Sequence, residues 1–106
     1  MARYLFVAHT NAVEGRDAEF NDWYANVHLD DMKRLPGVVS VRRFGLADAQ
    51  VRDDTQPFQY LALYEVETDD PQSFLSTLLA RAGTEQLPTH PSLAPGASAV
   101  LWQSIP

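Results

Sequence analysis

The segment FQYLALYEV, residues 58–66, has the aromatic and branched composition of a β-strand, yet it has no polar side. Successive side chains of a strand alternate between faces, so Tyr60, Ala62 and Tyr64 project one way and Leu61 and Leu63 the other. RYLFVAHT near the N-terminus repeats the pattern, with Tyr4, Phe6 and Ala8 against Leu5 and Val7. A sheet made of such strands has to be covered on both faces. That requirement constrains the fold more than any other feature of the chain.

The remaining segments supply one of the two covers. RYLFVAHT predicts a strand over residues 4–10, and NAVEGRD a turn ahead of an acid-rich first helical turn with Asp17 and Glu19. The helix runs to Lys33 and Arg34, cations placed where its dipole favours them, and LPG ends it. VVSVRRFGLA, residues 38–47, is the second strand, DAQVRDDTQP a polar connection, and FQYLALYEV the third strand. Asp70 is a helix N-cap ahead of Pro71, and Phe74, Leu75, Leu78, Leu79 and Ala82 then recur at helical spacing up to Gly83. A proline-rich loop, TEQLPTHPSLAPG, leads to a last strand over residues 98–105. The order β-α-β-β-α-β is that of a ferredoxin-like α+β fold, a four-stranded antiparallel sheet with two helices on one face. The second face would be a larger apolar patch than a monomer normally exposes, and the same face of another copy is its simplest cover. A homodimer is therefore expected.

Length and charge narrow the function. At 106 residues the chain is expected to be one domain over 1–106, and 45% hydrophobic residues with five Phe, four Tyr and two Trp support a packed core. A net charge of −6 argues against nucleic acid, which needs a concentrated basic surface. With no cysteine, thiol chemistry and Cys-based metal sites are excluded, and the three histidines are too far apart in sequence to form a ligand pair. The first apolar run is too short for a signal peptide or a membrane span, so no membrane partner and a cytoplasmic location are expected. No glycine-rich phosphate loop or dinucleotide fingerprint appears, and no cofactor is expected.

WYANVHLDD, residues 23–31, carries the chemistry. Phe20, Trp23, Tyr24, Val27, His28 and Asp31 fall on one face of an ideal helix. An i+3 carboxylate can accept a proton from one ring nitrogen of His28 and leave the other free as a base. Such pairing raises the imidazole pKa and burial lowers it, and the sequence does not decide between them. The same spacing also suits a core histidine bonded to a backbone carbonyl, with Asp31 solvated at the helix end. Tyr60 and Tyr64 share a strand face, and either can present a phenol to a carbonyl, or simply fill the core. Arg42 and Arg43 project to opposite faces, so at most one looks inward as a clamp for an enolate or carboxylate. His9 ends the first strand and His90 lies in the long loop, where solvent exposure is the default.

The stretch EFNDWYANVHLDDMKRLPGVVSVRRF, residues 19–44, resembles the EthD-like group of the dimeric α/β-barrel superfamily. The resemblance rests on Phe20, Trp23-Tyr24, His28 four residues later, Pro36-Gly37, and the Arg42-Arg43-Phe44 strand. It implies a homodimer whose sheets face each other and one cleft per subunit. The superfamily includes cyclases, lactone isomerases, cofactor-free monooxygenases and haem-using members, so the fold alone does not choose the reaction. The expectation is a small cofactor-independent enzyme doing acid–base chemistry, a cyclisation, isomerisation or dehydration, on an apolar cyclic or aromatic carbonyl compound. In it His28 moves the proton, Asp31 orients it, and Tyr60, Tyr64 or Arg42 steadies the oxyanion. Phe20, Trp23, Tyr24 and Phe44 wall the pocket. The alternatives are a cofactor-free monooxygenase, a non-catalytic ligand-binding dimer, or a haem protein with His28 as axial ligand.

Overall fold

A computed structural model describes residues 2–52 and 56–106; part of the polar connection, residues 53–55, lies outside the described residues. Strand β1 (Ala2–Thr10) is followed by helix α1 (Asp17–Trp23), a π turn (Tyr24–His28) and helix α2 (Leu29–Lys33). Then come β2 (Val38–Gly45), β3 (Tyr60–Thr68), helix α3 (Pro71–Arg81) and β4 (Ser98–Gln103). The four strands form one antiparallel sheet in the order β2-β3-β1-β4. This is the expected ferredoxin-like α+β arrangement. As expected, Asp70 caps α3: its Oδ1 accepts from the Ser73 N–H at 3.0 Å, and Pro71 opens the helix.

Register places Phe6 beside Tyr64 and Ala8 beside Ala62, both pairs on the face that the helices cover. Phe6, Tyr64 and Val66 meet Phe20, Tyr24, Met32 and Phe74 there, and this is the core. The opposite face carries Leu5, Val7, Leu61, Leu63, Phe44, Val100 and Trp102, with Trp102 60% exposed. No helix of the chain lies over it among the described residues, and none of the helices is long and apolar enough to cross a membrane.

Two local irregularities decide which side chains reach the interior. In β2 the pairing slips between Val38 and Ser40: Val38 lies opposite Val66, and Ser40 opposite Glu65. Counting in twos from Val38 would turn Ser40, Arg42 and Phe44 inward. The bulge inverts that parity, so Val41 and Arg43 face the helices, opposite Tyr64 and Ala62. In the long helix the chain widens into a π turn, and the Leu29 N–H donates to the Tyr24 carbonyl five residues back.

Gly37 makes the turn from α2 into the bulged strand. Its φ is +99°, and a Cβ there would lie 3.1 Å from the Glu67 carbonyl oxygen and 3.3 Å from Val66 Cγ1. Gly15 has φ +80° with nothing within 4 Å of the same position. Gly37→Ala is expected to lower stability in denaturant unfolding by about 1–3 kcal/mol, and Gly15→Ala by visibly less. Equal losses would show that the backbone conformation alone, and not the crowding against β3, matters at Gly37.

Candidate functional site

The sheet is hollowed at one level by small side chains. Ala8 pairs with Ala62 on one side and with Ala99 on the other, three alanines in a row across β3, β1 and β4. Above them lies a cleft of about 320 Å³ that contains Phe6, Trp23, Tyr24, His28, Met32 and Tyr64 in its lining. Leu78, Leu79 and Ala82 of the α3 region and Leu87, Leu93 and Ala97 of the proline-rich loop complete it. Leu79 is 73% exposed and Ala97 and Ala99 are also exposed, whereas Tyr24 and Tyr64 are buried. The cleft thus opens between α3 and β4 and ends on two phenols.

The π turn alters which ring His28 meets in the lining. In a regular helix Val27 would sit below Trp23, but here Val27 is 40% exposed, a correction to the straight-helix expectation. The residue five positions on takes its place: the His28 ring lies 4.9 Å from that of Trp23 and 4.7 Å, edge-on, from that of Tyr24. Its Nδ1 is buried and has no hydrogen-bond partner. The residue itself is part of the cleft lining. Burial dominates the ionisation and pushes the imidazole from its ordinary 6.5 down to about 4, with Asp31 pulling upward and Arg43 adding to the fall. His28 is neutral at pH 7.

The expected His28–Asp31 hydrogen bond is not formed. Asp31 Oδ1 instead accepts from Arg34 Nη1 at 2.7 Å, and its Oδ2 is buried without a partner, as is His28 Nδ1. What joins Asp31 to His28 is its field, which favours the imidazolium.

At the inner end the hydroxyls of Tyr24 and Tyr64 lie 2.5 Å apart. One of them donates to the other, which leaves the second O–H proton of the pair uncommitted. Burial raises both phenols above the ordinary tyrosine range, and Arg43 opposes that rise in each. Arg43 packs its guanidinium 4.2 Å from the centre of the Tyr24 ring and donates from Nη2 to Asn21 Oδ1 at 2.8 Å.

The other expected residues fall outside the cleft lining. Arg42 and Phe44 lie on the sheet face turned away from the helices, the guanidinium 5.0 Å from the Phe44 ring, because the bulge reverses their parity. Phe20 is fully buried behind the wall, against Trp23, Tyr24 and Tyr60. Tyr60 is on the expected face but near the helix start, where its hydroxyl donates to Asp17 Oδ2 at 2.5 Å. That bond raises its pKa. His9 packs at a tilt against Phe58, rings 5.4 Å apart. His90 is not simply solvated: it stacks on Trp23 at 5.5 Å, and its Nδ1 lies 2.7 Å from Oγ of the buried Ser92. Sequence reasoning missed the loop leucines Leu87 and Leu93, and no spacing rule would have carried them to the cleft. Alternation offers Arg43 as the alternative to Arg42, and the bulge decides between them. Among the described residues no three His, Asp or Glu side chains gather as a metal-binding group. A larger groove, about 620 Å³, lies at the other end of the sheet, but its Asp70 caps α3 and its Glu67 pairs with Arg3.

The fold and this cleft can be set beside known structures. No family model matches the sequence, and no curated protein matches it. Among solved structures, the chain is similar to the heme-degrader MhuD of Mycobacterium tuberculosis, solved with two hemes bound in its active site. The TM-score is 0.64 at 15% identity, over 96% of this chain and 95% of that one. It is similar to a candidate monooxygenase from Shewanella loihica PV-4, with TM-score 0.61 and 15% identity over 99% and 96% of the two chains. An EthD (ethyl tert-butyl ether D) family protein from Bacillus halodurans C-125 matches at TM-score 0.54 and 14% identity, over 99% and 100%. At these identities the likeness is one of fold: the chain shares the ferredoxin-like α+β fold of these three proteins over nearly its whole length.

With three histidines in the chain, the ring resonances can be assigned by substitution. His28 is expected to titrate near 4, lower in Asp31→Asn and higher in Arg34→Ala, where the carboxylate no longer shares its field with a guanidinium. The unfolded chain protonates His28 near 6.5, so the unfolding free energy falls as pH drops from 6.5 toward 4, and His28→Leu flattens that slope.

Proposed function

We propose that the chain is a small enzyme acting by proton transfer on an uncharged, mainly apolar ring compound that carries a carbonyl or enol oxygen. One observation carries this reading: a neutral imidazole and a phenol pair with one uncommitted O–H face the same apolar cleft. The walls favour a ring, and the volume is at the small end of small-molecule sites, about the size of one or two fused rings. In the proposed reaction, a cyclisation, isomerisation or dehydration through an enolate, Nε2 of His28 accepts a proton from the substrate. The Tyr24–Tyr64 pair donates to the oxygen on which charge collects, and Asp31 stabilises the imidazolium across a short gap. The low pKa of the empty site keeps His28 unprotonated, and the charge forming on the substrate oxygen raises its basicity at the moment of transfer.

Haem, which the MhuD structure holds, fits this cleft poorly. The lining contains a histidine, but no lysine or arginine to meet propionates, and its volume is small for a tetrapyrrole. No step is assigned to it.

The same reading includes a homodimer, in which the uncovered sheet face around Leu61, Leu63 and Trp102 packs on its counterpart. Leu63→Lys is expected to halve the mass measured by sedimentation equilibrium while leaving the far-ultraviolet spectrum unchanged. A variant that keeps the wild-type mass would place the contact elsewhere.

The reaction itself is tested with cyclic ketones and enolisable aromatic carbonyl compounds in deuterium oxide. The wild type is expected to exchange the acidic C–H of a bound compound without consuming oxygen. His28→Gln should lose about 10²–10⁴-fold in rate, the usual contribution of a positioned base. Ala99→Phe, which fills the floor of the cleft and leaves His28 in place, should abolish binding. Oxygen uptake linked to His28 would instead mark a monooxygenase, and exchange that survives in His28→Gln would remove the base from His28.

A further inference from the structure

A guanidinium packed on an aromatic wall rather than on a carboxylate calls for a reason. Among the described residues no carboxylate pairs with Arg43. Its position is fixed by other means: Asn21 Oδ1 accepts from it at 2.8 Å, Asn21 Nδ2 reaches the Tyr60 hydroxyl at 3.3 Å, and that hydroxyl is anchored on Asp17 at 2.5 Å. Its Cζ lies 4.2 Å from the Tyr24 ring centre and 5.8 and 5.9 Å from those of Phe20 and Tyr60. Neither Arg43 nor Asp31 lines the cleft, yet each lies next to a group that does. Arg43 stands at Tyr24, and Asp31 one helical turn after His28. The cleft is therefore flanked by a positive charge behind Tyr24 and, beyond His28, by a carboxylate whose other oxygen pairs with Arg34.

A proton moved from a ligand oxygen to His28 leaves each new charge facing its opposite. The O–H bond of the ligand breaks, an N–H bond forms at Nε2, and nothing is oxidised or reduced. We propose that Arg43 is a positioning residue that acts through the Tyr24–Tyr64 pair to hold an oxyanion, and that the ligands of this cleft are weakly acidic ring hydroxyls, phenols and enols, bound as anions with their proton on His28. This rests on the functional reading above and names its substrate class. Burial and Arg43 both keep the free imidazole unprotonated, and Asp31 is the group that favours the imidazolium once a proton arrives. Arg43 opposes, without reversing, the rise that burial imposes on both phenols, so its charge is felt at the pair.

The test uses the full chain and the ligands phenol, 4-chlorophenol and 4-nitrophenol, with cyclohexanone as a ring ketone that cannot ionise under these conditions. At a pH about one unit below the free pKa of 4-nitrophenol, the wild-type complex is expected to show the phenolate absorption band. Affinity should rise with acidity along the series. Arg43→Met should bind 4-nitrophenol about tenfold more weakly and lose the band, and Arg43→Lys should recover part of both. Asn21→Ala, which frees the guanidinium without removing it, should give an intermediate loss, and it carries the test if Arg43→Met does not fold. A wild-type complex without the band, or an Arg43→Met complex that keeps it, overturns the proposal. Cyclohexanone moving the His28 resonances while the phenols show no acidity preference overturns it and leaves the functional reading standing. If no ligand of either kind moves those resonances, both fall.

Discussion

Two phenols buried in an aromatic core have to satisfy each other, and the rest of the structure is arranged around that bond. Tyr24 comes from the helical segment and Tyr64 from the middle of β3, and their hydroxyls meet at 2.5 Å where water does not reach. Left alone, either hydroxyl would cost on the order of 1–3 kcal/mol. The bond therefore fixes how deeply the helix sits on the sheet and at what rotation. That rotation in turn determines where Trp23 and His28 can lie. The alanine row beside Tyr64 then becomes a hollow, because the helix is held at a height set by two tyrosines and the floor next to them is one methyl thick.

Given that anchor, the π turn has a geometric role. A regular helix that seats Tyr24 on Tyr64 would carry Val27 beneath Trp23 and leave His28 beneath Tyr24 alone. One wider turn brings His28 to the Trp23 ring and leaves Val27 in solvent. The bulge in β2 does the equivalent for the sheet, exchanging Arg42 for Arg43 on the helix side. Both devices shift a side-chain register by one position, and both act on ionisable residues. π turns and bulges each sacrifice regular hydrogen bonding, and they are over-represented next to functional sites. Their coincidence around one cleft is the structural reason to read that cleft as a place of chemistry.

This also explains what could be read from the chain and what could not. Element order, the capped α3, the alternating faces of β1 and β3, and the inward His28 all follow from period and punctuation, and the structure has them. Alternation puts Arg42 and Arg43 on opposite faces but does not say which looks inward; the slip decides for Arg43, and VVSVRRF contains no glycine or proline to announce it, so the candidates Arg42 and Phe44 lie on the other face. Val27 was misplaced for the matching reason in the helix. The direct His28–Asp31 bond is not formed: Arg34, three residues beyond Asp31, pairs with Oδ1, while Oδ2 and His28 Nδ1 are both left without a partner. Leu87 and Leu93 reach the cleft through a loop whose path is set by bridges to Ala82 and Ala12, contacts that no local pattern encodes.

The burial of His28 does more than hide it. Desolvation removes the proton that solvent would otherwise leave on the ring near neutrality, so the cleft starts neutral and its lining offers no fixed charge to an incoming ligand. Charge is held one residue further out, on Asp31 and Arg43, where it biases the cleft without occupying it. A ligand that arrives already anionic must be desolvated in full before it meets Arg43's field through a ring. One that arrives neutral loses little on entering and becomes charged only once both ends of the cleft can stabilise the result. The arrangement therefore discriminates in favour of molecules that can give up a proton inside.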